Sequence, residues 1–197
     1  EAHGREGQAL RWVGIEAMHA LPMPPADKPV IAALRLPVHY PITPEPDADD
    51  AAFVRRVGQL LEAGETCIQL RCKTASPDRL RVLAQAVRDL AVQAGAQFLV
   101  NDNIELALES DAGVHLPAEH LMRLSSRPLP ADRWLAASCH DGRELAHAAT
   151  IGVDFAVLGP VLPTASHPHA QALGWNRFAE LVAQVPLPVY ALGGVGP

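Results

Sequence analysis

The run Ile68-Gln69-Leu70-Arg71-Cys72-Lys73 places an amide and two cations at every second position. Alternate side chains of an extended chain share a face, so Gln69, Arg71 and Lys73 are expected to point one way and Ile68 and Leu70 the other. A guanidinium fork, a point-charge ammonium and an amide on one face can grip a diphosphate. The competing reading is a solvated strand end or a surface ion pair. Asn101-Asp102 ends the apolar run Phe98-Leu99-Val100. A carboxylate there could ligate Mg2+ shared with phosphate oxygens, or cap the helix that Asn103 and Ile104 open. Ser138-Cys139-His140 closes another apolar run, where a histidine is suited to move a proton as a general base. Gly193-Gly194 follows Val189-Tyr190-Ala191-Leu192. Backbone N–H groups beside glycines can cradle a phosphate, although a tight turn needs glycine as well. His115, His120, His140, His167 and His169 fall at no familiar zinc spacing.

These residues need a scaffold, and the pattern between them supplies one. Phe53, Val54, Val57, Leu60 and Leu61 have helical spacing, with Gly64 as a stop. Ser76-Pro77 reads as an N-cap with proline at the first helical position, and Leu80, Leu83, Val87 and Leu90 follow on one face up to Gly95. Asp141 and Glu144 read as a capping box before Leu145, Ala148 and Ala149, closed by Gly152. Asn176 is expected to cap the last helix. Seven strands are expected, near residues 38–42, 67–71, 97–100, 112–116, 134–138, 154–158 and 187–192. Strands alternating with helices fit either a (β/α)8 barrel short of its last unit or an open doubly wound sheet. Polar groups end nearly every strand, at Gln69, Asn101, His115, Ser138, Thr164 and Gly193. Such spreading favours the barrel, whose whole carboxyl-end rim contributes to the site.

Composition agrees with a globular α/β protein: of 197 residues, 49% are hydrophobic, 19% charged and only 5% aromatic. The formal net charge of −6 disfavours nucleic acid and requires any anionic ligand to be held by a local basic pocket. No apolar run is long enough for a membrane helix. Three cysteines without C-x-x-C spacing imply free thiols and a reducing, cytoplasmic setting. The start at Glu1 and the stop at Pro197, just beyond a glycine pair, lead us to expect a fragment whose barrel is truncated before its eighth unit.

The same stretches resemble the thiamine phosphate synthase/TenI family. The likeness runs through Tyr40-Pro41-Ile42-Thr43, residues 69–73, Phe98 to Asp102, Gly113-Val114-His115-Leu116 and Ser138-Cys139-His140. It continues through Asp154 to Thr164, Leu173-Gly174 and Ala191 to Gly194. This implies a (β/α)8 TIM barrel over residues 37–197. The implied activity is a transferase that joins hydroxymethylpyrimidine diphosphate to thiazole phosphate and releases pyrophosphate with Mg2+. By the resemblance, Gln69, Arg71, Lys73 and Asn101 hold the pyrimidine diphosphate and Asp102 the magnesium. His115 and Thr164 belong to the same substrate-binding set, Ser138 contacts the departing pyrophosphate, and Gly193 and Gly194 meet the thiazole phosphate. Two positions depart from the synthase pattern: His120 stands where a second metal-binding Asp is usual, and His167 where a pyrophosphate-binding Lys is usual. Leu116-Pro117 is similar instead to TenI-type members, which isomerise a thiazole carboxylate phosphate with a histidine corresponding to His140. Synthase, tautomerase and a non-catalytic barrel that binds a phosphorylated ligand all stay open, as does a homo-oligomer.

Residues 1–36 differ in texture, broken by Pro22, Pro24, Pro25 and Pro29, with a short helix expected through Val30, Ile31, Ala33 and Leu34. Glu6-Gly7-Gln8, Trp12, Pro22-Met23-Pro24 and Ala26 to Ile31 resemble the end of an α+β Nudix hydrolase domain of the 8-oxo-dGTP diphosphatase type. The catalytic Nudix box is not among these residues, so this resemblance implies no hydrolysis by this chain.

Overall fold

The computed structural model describes residues 6–7, 9–164 and 171–195. Six strands form one parallel sheet: β1 (Cys67–Leu70), β2 (Gln97–Asn101), β3 (Gly113–Leu116), β4 (Leu135–Cys139), β5 (Phe155–Leu158) and β6 (Val189–Ala191). They pair strictly in chain order, β1-β2-β3-β4-β5-β6. A doubly wound sheet would reverse its order at a switch point; sequential order is that of a sheet curling towards a barrel. The helices are α1 (Lys28–Arg35), α2 (Asp50–Glu62), α3 (Pro77–Ala94), α4 (Ile104–Glu109), α5 (Ala118–Leu121), α6 (Gly142–Ile151) and α7 (Gly174–Val182).

The expected first strand at 38–42 is reduced to a single parallel bridge, Ile42 to Gln69. Pro37, Pro41 and Pro44 lack the N–H a ladder requires, so regular pairing cannot extend along this segment. What remains is Gln69 N–H donating to Pro41 O and Thr43 N–H donating to Gln69 O, both at 2.9 Å. The curled sheet nonetheless brings its two ends together. Tyr190 of β6 donates through its hydroxyl to Pro37 O at 2.5 Å, and its ring stacks on Tyr40 at 5.8 Å.

Alternation divides the strand residues between two cores. Ile68, Leu70, Val100, Val114, Leu116, Leu135, Ala137, Ala156 and Leu158 pack outward, with Phe53 and Val57 of α2, Leu83 and Val87 of α3 and Leu145 of α6. Cys67, Leu99, Trp134, Ala136, Phe155 and Val157 fill the inside, with Ala32 of α1. Each fully buried Leu or Phe contributes on the order of 2 kcal/mol by leaving water, so the outer layer fixes the curl that aims the inner faces.

Helix ends follow local chemistry. Ser76 Oγ accepts from Arg79 N–H and Asn103 Oδ1 from Leu106 N–H, while Gly95 and Gly152 end α3 and α6 in the left-handed region at φ 66° and 79°. Asp141 caps α6 as expected, but Glu144 returns to His140 N–H rather than to the cap residue's own. Asn176 lies inside α7, which begins at Gly174 and has no side-chain cap, so the expected cap is corrected. Helix α1 sits across the amino ends of the strands, where the Arg35 guanidinium lies 4.9 Å over the Trp134 ring. A cavity of about 700 Å3 separates the N-terminal segment from this floor, lined by Met18, Ile31, Arg35, Arg127, Trp134 and Asp154 among others. Among the described residues no helix is long and apolar enough to cross a membrane.

Candidate functional site

The carboxyl ends of β1 to β4 bring four of the expected residues together as two hydrogen-bonded pairs on neighbouring strands. Gln69 and Asn101 are on adjacent strands, and Gln69 Nε2 donates to Asn101 Oδ1 at 2.9 Å. Asn101 is the register partner of His115 on β3. His115 Nε2 lies 2.8 Å from Ser138 Oγ on β4. Gln69 is 1% exposed and its Oε1 has no partner among the described residues, an arrangement that costs roughly 1–3 kcal/mol unless a donor arrives. The Gln69–Asn101 bond thus leaves one amide oxygen to accept and one amide NH2 to donate.

Strand β1 ends at Leu70, so alternation reaches no further than Arg71; Lys73 is placed by a loop. Arg71 N–H donates to the buried Thr43 Oγ1 at 2.9 Å. Lys73 N–H donates to both oxygens of Glu45, at 3.0 and 2.9 Å, and Thr74 donates through its N–H and its hydroxyl. Burial works against ionising Glu45. The Lys73 and Thr74 hydrogen bonds and the nearby Arg71 charge outweigh it and lower its pKa. Neither the Arg71 guanidinium nor the Lys73 ammonium makes a hydrogen bond or ion pair among the described residues. Both cations remain available to an anion. Thr43 and Glu45 were not among the sequence candidates. Their signal lies in the backbone they hold, which residue types alone do not reveal.

Asp102 has φ 54°, a conformation that turns the chain sharply out of β2. The helix cap is Asn103, so Asp102 is not needed for it. His120 on α5 occupies Asp102 instead, with Nδ1 2.5 Å from Oδ1. Among the described residues no group of three or more His, Cys, Asp or Glu side chains converges on a metal position. One carboxylate already engaged by an imidazole does not fit a magnesium site built by protein oxygens alone.

His140 is 60% exposed at the end of β4, and Glu144 holds it twice, at its backbone N–H (2.7 Å) and at Nδ1 (3.0 Å). Among the described residues that grip leaves Nε2 without a partner. Cys72 and Cys139 belong to the outer core, where burial pushes their thiols up to about 11 and about 12, so neither supplies a thiolate. Gly193 and Gly194 have φ 92° and 66°, and a Cβ on either would fall 2.7 Å from Pro160 Cβ or from Leu162 Cβ and Pro163 O. The glycines are required by close packing on the 160–163 loop, whose Leu162 N–H donates to Gly193 O at 2.9 Å. Thr164 ends the described part of that loop. His167 and His169 lie outside the described residues.

A family model described as thiamine monophosphate synthase matches residues 39–197, all of the strands and their site. The chain belongs to the thiamine monophosphate synthase family. Among relatives, the thiamine-phosphate synthase of Chlorobium luteolum is 34% identical over 160 residues, covering 80% of this chain and 76% of its own length. That of Thioalkalivibrio sulfidiphilus is 32% identical over 159 residues, covering 79% and 75%. The solved thiamine phosphate pyrophosphorylase from Pyrococcus furiosus superposes with a TM-score of 0.64 at 29% identity, over 80% of this chain and 75% of that one. The half-barrel is thus the part of the thiamine monophosphate synthase scaffold that carries Gln69, Asn101, His115 and Ser138.

Proposed function

We propose that this chain is a thiamine-phosphate-synthase-type transferase, joining hydroxymethylpyrimidine diphosphate to thiazole phosphate with release of pyrophosphate. The observation that carries the reading is the orphaned Oε1 of buried Gln69 beside two uncommitted cations, Arg71 and Lys73. An aminopyrimidine ring supplies an N–H donor for that oxygen and ring acceptors for the Asn101 amide. Its diphosphate supplies the anion for the cations. Charge that builds on the leaving pyrophosphate is stabilised by Arg71, Lys73 and a donor from Ser138. Gly193 and Gly194 would present backbone to the thiazole phosphate.

Magnesium, when bound, neutralises diphosphate charge. In this chain Asp102 with the substrate's own oxygens would have to hold it, after releasing His120. The test is thiamine phosphate formation from both substrates with Mg2+, in the parent and in Arg71→Ala. Product from the parent, reduced on the order of 100-fold or more in the variant, supports the reading.

A second reading is TenI-type tautomerase action by His140. It is favoured by the Glu144 grip, which fixes Nδ1 and presents Nε2 as the base. A third is a non-catalytic barrel that binds a phosphorylated ligand, favoured by the closure of Asp102 by His120. Residues 1–36 are proposed to be the end of a preceding Nudix-type domain, a reading supported by their position outside the residues matched to the family.

A further inference from the structure

His115 is 3% exposed, as buried as much of the strand core. Yet both of its ring nitrogens are engaged. Tyr40 Oη lies 3.3 Å from Nδ1 and Ser138 Oγ 2.8 Å from Nε2. The two rings stack at 5.8 Å with an 18° interplanar angle, and Phe155 packs edge-on against Tyr40 at 5.0 Å. The three side chains form a line from the segment before β1, through β3, to the half-exposed end of β4.

We propose that Tyr40 and His115 are positioning residues that make Ser138 an obligate hydrogen-bond donor towards the ligand in the mouth. The proposal rests on the reading above that Ser138 meets a phosphorylated ligand. Both ring partners are neutral hydroxyls, and among the described residues no carboxylate reaches either nitrogen, so the ring needs only one proton. The phenol O–H then donates to Nδ1, and the ring proton sits on Nε2. Nε2–H donates to Ser138 Oγ. The serine hydrogen is left to point elsewhere, and the open side of Ser138 is the mouth. In this state Nε2 already carries a proton and cannot remove another from Ser138. The relay therefore builds an anion-binding donor and not a nucleophile. No bond is made or broken at Ser138.

Two measurements on the whole chain test this. In protein labelled with 15N-histidine, NMR is expected to find His115 neutral and protonated at Nε2 from pH 5.5 to pH 8. A ring protonated at Nδ1, or at both nitrogens, overturns the relay. Calorimetry with inorganic pyrophosphate supplies the second arm. Ser138→Ala is expected to weaken binding about tenfold, Tyr40→Phe to lose a smaller share, and the double variant to lose no more than Ser138→Ala. Additive losses, or full affinity in Tyr40→Phe, overturn the relay while leaving the mouth intact. Unchanged affinity in Ser138→Ala overturns the ligand role of Ser138 and the relay with it. Thermal unfolding of each variant separates these effects from misfolding.

Discussion

Gln69 spends its amide NH2 on Asn101 Oδ1, 2.9 Å away, and keeps its own buried carbonyl oxygen without a partner among the described residues. A core that tolerates such a group gives up stability for a binding edge. Neighbouring strands hold the two amides, so the edge is set before any ligand arrives.

The first consequence concerns Gln69→Leu. Replacing a buried amide that has an orphan acceptor by an apolar side chain of similar size removes a penalty, and Asn101 is exposed enough to find water. Unfolding stability is expected to stay within about 1 kcal/mol of the parent or to exceed it. Thiamine phosphate formation is expected to fall by roughly two orders of magnitude. Denaturant titration and product assay together check both halves.

His115 gives stability a pH dependence of definite sign. Its folded pKa is about 4, lowered by burial from 6.5. Between those values the unfolded chain binds the additional proton, so stability rises with pH. The contribution is complete above about pH 6.5 and is lost as pH falls towards 4, by up to about 3 kcal/mol. Melting temperatures from pH 7.5 to 4.5 should show this slope, and His115→Gln should flatten it.

At the opposite end of the strands, Asp154 Oδ2 accepts from Arg127 at 2.8 Å and from Leu135 N–H at 2.7 Å. Arg127 also donates to Gly152 O and Arg133 O. Asp154→Ala strands a half-enclosed guanidinium and an N–H at the start of β4, and is expected to cost roughly 2 kcal/mol, less than a fully buried pair. The loss should appear in unfolding midpoints while affinity for pyrophosphate stays unchanged, because this cluster lies on the floor and not at the mouth.

His120 sets the metal prediction. His120→Asp removes the imidazole from Asp102 and puts two carboxylates beside the diphosphate position, a donor set suited to Mg2+. Magnesium affinity, followed by calorimetry, is expected to rise about tenfold or more over the parent. An unchanged affinity would place the magnesium, if any, away from Asp102.

Much of this was legible before the structure. The alternation of Gln69 with Ile68 and Leu70, and the caps at Ser76 and Asp141, are local rules written in a few adjacent residues, and they hold. The expected strand at 38–42 fails because three prolines outweigh an apolar run, and Asn176 fails as a cap because α7 starts two residues earlier. Two features could not be read at all. The Tyr40–His115–Ser138 line joins residues 75 and 23 positions apart, and nothing local marks it. Glu144 is recognisable as a capping residue, but its second task, holding His140 Nδ1, depends on the way β4 meets α6. Gly193 and Gly194 were legible as a turn, whereas the need for glycine comes from the 160–163 loop pressed against them.

The most direct test of the mouth is titration of hydroxymethylpyrimidine diphosphate into the chain, followed by amide NMR and calorimetry, with Arg71→Ala as the comparison. The account predicts saturable binding that shifts the side-chain amides of Gln69 and Asn101 and is weakened on the order of 100-fold in the variant. Shifts confined to the floor around Arg127 and Trp134, or binding equally tight in Arg71→Ala, would contradict it.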